Sequence, residues 1–251
     1  NAALAGLEAT QFASFNTTQV KAITTTQLAA LDATDIGDFA STQLAALTTT
    51  QLRAITSTAL GGLGDTQVAA LGTLQVQALA TSTLAAFSDT QIGALTTSQV
   101  ASLTTSQLQA LSSATFSALA DTQVAALTTT QVAGLTTTQI NNLSATDLGE
   151  LVTTQIAALT STQVRGLTTT SIANLIGSQV AAMTLSQIQA LSTTNLSALD
   201  ETQTGSLTTT QVKGLTTTQL TALTTTDIGE ITATQLAALT TAQVQTLTSA
   251  Q

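Results

Sequence analysis

The chain has 251 residues, of which only 7% are charged; four Lys and Arg face thirteen Asp and Glu, for a net charge of −9. That balance excludes nucleic acid and anionic membrane surfaces as partners, because binding phosphate-rich surfaces needs clustered cations. Cys, His, Trp, Tyr and Pro are all absent, which removes disulfides, thiolate and imidazole metal sites and the commonest catalytic bases.

From the first residues onward one eight-residue unit recurs, shown plainly by TTTQVAGL at 128–135. Repetition of this kind bounds every later reading. With Gln placed at position 4 of the unit, position 8 is apolar throughout, from Leu7, Phe15 and Ile23 to Leu247. Position 5 is apolar from Leu4 to Val244, except at Thr204. Position 1 is usually Thr, Ser, Asn or Asp. Leu4 and Leu7 already stand in repeat positions, so we expect no leader segment and read the chain as a mature product or a slice of something longer. No run approaches the ~20 apolar residues of a membrane-spanning helix, so no span is expected.

Thr-x-x-Gln ahead of an apolar residue is a capping box. The hydroxyl accepts from the backbone three residues on, and the glutamine reaches back to the cap's own N–H. Each octad therefore starts a helix. One unbroken helix is excluded, since eight residues at about 100° each overshoot two turns by about 80° and the apolar stripe would circle the axis. Strands are excluded too, because spacings of three and five place successive apolar residues on opposite faces. A single octad cannot bury its own apolar side, so octads must stack on their neighbours. The predicted fold is an all-α solenoid of short capped helices, one domain over 1–251, with positions 5 and 8 filling the axis and Thr, Ser and Gln coating the outside.

A second period runs along the chain. From residue 11, Gln is missing from position 4 at Asp35, Ala59, Thr83, Thr115, Asp147, Ser171, Asn195 and Asp227, at separations of 24 or 32 residues. Alternation between three and four octads predicts about 3.5 octads per coil, as 3.5 residues per turn does for a coiled-coil seam. At a helix-packing distance of about 8 to 10 Å between coils, the expected rod is on the order of 80 Å long. The eight short side chains mark one line along it, which we read as a candidate assembly line where another rod approaches closely. The octad after a marker often lacks a polar cap, as at Ala40, Gly64, Ala120, Val152 and Ile176. A longer offset relates 51–63 to 163–175, aligning Arg53 with Arg165.

Chemistry-bearing residues are sparse. Asp35 with Asp38, Asp147 with Glu150 and Asp227 with Glu230 are metal candidates, as oxygen ligands for calcium. Two carboxylates are far fewer than the six to eight oxygens calcium takes, and an Asp near a helix start is equally explained by the dipole there. Lys21, Arg53, Arg165 and Lys213 all stand at position 6, where solvation or pairing with a neighbouring coil accounts for them. No catalytic constellation, cofactor site or enzymatic activity is expected, because repeated carboxylates do not converge as an active site must. The Thr rows admit ice or glycan binding as an alternative to simple capping.

The run LTTTQVAGLTTTQI at 127–140 resembles the Thr/Gln-rich octapeptide arrays of large bacterial secreted or surface proteins. The likeness extends over the whole chain and implies an extracellular or cell-surface structural role, with no functional residues to carry over. The expected function is a filament, sheath or stalk built by end-to-end and lateral self-assembly, with copies of the same chain as partners. The alternative is an adhesin rod that displays Thr/Gln rows to glycans or ice, or acidic repeats to calcium.

Overall fold

The computed structural model describes residue 4 and residues 6–247. Among these residues there are thirty short helices of four to six residues and no strand. Each octad contributes one helix, such as Thr49–Ala54 or Thr97–Ser102.

The helices are short because two residues per octad leave helical geometry. Leu47 and Thr48 are both extended, at φ −60°, ψ 140° and φ −71°, ψ 158°, and Ile55 and Thr56 repeat the pattern. The cap then restarts the helix: the Gln51 N–H donates to Thr48 Oγ1 at 3.2 Å, while Thr48 N–H donates to Gln51 Oε1 at 2.9 Å. Where the cap side chain is lost, at Ala40, Gly64, Ala120, Val152 and Ile176, the glutamine half of the box survives and still accepts from the cap N–H. Half a box is enough here because tertiary packing, rather than the cap alone, holds so short a helix.

The chain forms two compact units, Asn1–Leu127 and Thr128–Gln251, each built on the same plan. Within the first, Thr25–Leu28 packs on Thr49–Ala54 and Ala33–Gly37 on Ser57–Leu60; within the second, Gly177–Ala182 packs on Glu201–Ser206. Helices thus meet the third helix along in sequence, as a coil of three to four octads requires. Positions 5 and 8 form the core of each unit: Leu52, Ile55, Leu108 and Leu111 are buried in the first and Val180, Met183, Ile188 and Leu191 in the second. One approach admits no side chain at all. A Cβ on Gly62 would lie 2.1 Å from the Ala33 carbonyl oxygen, backbone against backbone.

Candidate functional site

The expected polar coat of glutamines is corrected by the structure. Gln99 is 2% exposed and Gln179 1%, and Gln is buried at position 4 through most of both units. The reason is that one carboxamide serves two coils. Its oxygen closes the capping box of its own octad. Its Nε2 crosses to the octad four earlier and donates to the carbonyls 31 and 28 residues back. Gln51 Nε2 reaches Val20 O at 3.1 Å, Lys21 O at 3.1 Å and Ile23 O at 2.8 Å. In the second unit Gln187 Nε2 reaches Ile156 O at 2.8 Å and Leu159 O at 2.7 Å. Those carbonyls end a short helix and have no fifth residue to bond to, so an amide from the next coil is their natural donor. The side chain needs one acceptor and two donors on a two-carbon stem, which among the twenty residues only glutamine supplies at that reach.

The eight marker residues are where this clamp is absent. Asp35, Ala59, Thr83, Asp147, Ser171 and Asn195 are buried, whereas Thr115 and Asp227 are half-buried. Several polar side chains of this line bond other octads of their own unit. Asn195 Nδ2 still reaches Leu167 O, at 2.8 Å. Ser171 Oγ donates to Asn141 Oδ1 at 2.9 Å, and the same oxygen accepts from Thr168 N–H at 3.1 Å. Thr83 and Ser57 share a hydroxyl hydrogen bond of 3.0 Å, and Ser197 Oγ donates to Asp227 Oδ2 at 2.7 Å.

In each candidate metal pair the first carboxylate serves as a cap oxygen. One carboxylate oxygen of Asp35, Asp147 and Asp227 does the work of the glutamine oxygen, accepting from Asp32, Ser144 and Thr224 N–H at 3.0, 3.0 and 2.7 Å. Of their companions, Glu150 is exposed and Asp38 and Glu230 are half-buried, and Glu230 Oε2 accepts from Thr204 Oγ1 at 3.3 Å. Among the described residues, no group of three or more Asp and Glu is placed to hold a metal ion. No ion pair joins the basic residues to the acidic ones among the described residues; Arg53 instead donates from Nε to Ala78 O at 2.7 Å. No helix among the described residues is long and apolar enough to cross a membrane.

Sequence reasoning located the capping half of the glutamine's role and missed the clamp. The signal was present: a residue chosen only for capping tolerates Glu, Ser or Asp, whereas this position holds Gln far more often than any of them.

No curated protein matches the chain. A family model described as the ALTTAQ repeat matches residues 36–73, 68–105 and 105–137, three consecutive stretches that lie within the octad array. The chain is a helical repeat protein whose 36–137 stretch is similar to the ALTTAQ repeat.

Proposed function

We propose that the chain is a structural repeat module that extends by end-on addition of a second copy, forming an extracellular filament, sheath or stalk. The observation that carries this reading is the clamp: Gln51 and Gln187 engage main-chain carbonyls four octads earlier, partners that any coil of this repeat offers, so the contact sets no limit of its own on how many coils stack. In the first coil Gln11 and Gln19 are exposed and Gln27 half-buried. In the last coil Leu236 and Val244 are 45% and 51% exposed, although the same position is fully buried at Val212 and Leu220.

The exposed amides of Gln11 and Gln19 and the exposed Leu236 and Val244 are suited to the same carbonyl and apolar contacts that the clamp and core make within each unit. A contact of this kind is heterologous, and one that does not close on itself propagates.

Negative-stain microscopy and sedimentation of the purified chain across a range of concentrations test the proposal. Filaments or concentration-dependent oligomers, lost in the double substitution Leu236→Lys and Val244→Lys, are expected. A monomer at every concentration overturns the proposal.

A further inference from the structure

We propose that the cavity beneath Thr83 is a binding site for a primary carboxamide on a short aliphatic stem. The cavity measures about 370 Å³ and is bounded by Leu52, Arg53, Ile55, Leu60, Ala78, Leu79, Ala80 and Thr83. Such a volume falls within the range of about 300 to 1,000 Å³ typical of small-molecule sites.

Its chemistry follows from the residue that is missing. Position 4 of this octad is Thr83, whose short side chain turns to Ser57. Counting 31 and 28 residues back gives Leu52 and Ile55, the two residues whose carbonyls a glutamine here would engage, and both line the cavity. Ile55 O has no hydrogen-bond donor among the described residues, and Leu52 O has only the Ile55 N–H. Ala80 also lines the cavity, and its N–H, which a glutamine oxygen would satisfy, has no acceptor among the described residues. The cavity therefore keeps the donor and the acceptors that a carboxamide bridges in neighbouring coils, where Gln75 bonds Gly72 N–H, Leu44 O and Leu47 O at 2.7, 2.9 and 2.8 Å.

The second unit shows that an amide from elsewhere fills such a place. Asn141 Oδ1 takes the Thr168 N–H where Ser171 replaces glutamine. At Thr83 no side chain does so. Leu52, Leu60 and Leu79 supply apolar walls for the stem. Arg53, fixed through Nε to Ala78 O and unpaired with any carboxylate, stands at the mouth, where its remaining N–H groups suit an anionic end of the ligand.

Two sources carry this chemistry: a free amide such as L-glutamine, or a glutamine side chain of a polypeptide. Titration calorimetry on the full chain with propionamide, L-glutamine and the peptide Gly-Gln-Gly, with propionate and L-glutamate as controls, tests the site. Saturable amide binding is expected, with the two carboxylate controls at least about tenfold weaker because they set oxygen against the Ile55 carbonyl. Stronger binding of Gly-Gln-Gly than of L-glutamine assigns the polypeptide source, and the reverse order assigns the free amide. Thr83→Gln supplies the missing arm internally; it should abolish amide binding and raise the melting temperature. Arg53→Ala should weaken L-glutamine about tenfold while leaving propionamide within about twofold. Absence of saturable amide binding, or binding unchanged in Thr83→Gln, overturns the proposal.

Discussion

Gln51 Nε2 lies 2.8 Å from the carbonyl oxygen of Ile23, twenty-eight residues earlier, so one side chain closes both its own helix and the coil beneath it. The same carboxamide accepts the Thr48 N–H at 2.9 Å, which leaves no polar atom of the group idle. Buried amides satisfied this fully are costly to disturb, because each removal strands partners away from water.

The clamp should be the most sensitive polar position in either unit. Gln99 bonds Thr96 N–H at 2.6 Å, Val68 O at 2.9 Å and Leu71 O at 2.6 Å. Gln99→Leu keeps the bulk and loses these bonds, at an expected cost of about 2 to 4 kcal/mol in denaturant unfolding.

Gln99→Glu separates donor loss from acceptor loss. A carboxylate facing the Val68 and Leu71 carbonyls favours its protonated form, so its folded pKa rises above the unfolded value. The stability due to protonation is then present below the unfolded pKa and lost as pH rises through the folded one. Relative to the parent protein, the variant should be weak at neutral pH and recover on acidification, whereas Gln99→Leu shows no such recovery. Parallel pH–stability curves for the two variants would contradict the clamp.

Inside and outside of the octad should differ sharply. Val124 is fully buried and Thr130 exposed. Val124→Asp places an unpaired carboxylate in the core and should cost more than about 4 kcal/mol, while Thr130→Ser should stay within about 0.5 kcal/mol. Thermal melts of both variants check the assignment.

Two glycines two residues apart should respond with opposite signs. Gly62→Ala drives a methyl into the Ala33 backbone and should destabilise by about 1 to 3 kcal/mol. At Gly64 a Cβ meets only Gln67 Oε1, at 3.6 Å, and the helix Asp65–Ala70 lacks a side-chain cap. Gly64→Ser should therefore be neutral to stabilising, by a few tenths of a kcal/mol.

End-on association should depend on the exposed amides of the first coil, Gln19 among them. Gln19→Glu keeps the oxygen that accepts the Asn16 N–H, at 2.9 Å, and removes the donors. Its melting temperature should stay close to that of the parent while concentration-dependent oligomers diminish in sedimentation. An unchanged oligomer distribution would remove the amides from the contact.

The eight-residue beat by itself determined the helices, their starts and their apolar axis. Capping and amphipathic spacing are local physics, written within a few residues such as Thr48, Gln51, Leu52 and Ile55. The alternation of 24 and 32 residues between markers also carried the winding of three to four octads, because a break in a periodic pattern records the coil that imposes it. Only the tertiary structure decided where the glutamine amides go. Their Nε2 partners are main-chain carbonyls four octads away, and a carbonyl has no residue identity that a sequence could display. The same limit hid the cavity at Thr83, since a threonine in place of glutamine reads as drift until Ile55 and Ala80, whose carbonyl and N–H have no partner among the described residues, are found lining one cavity.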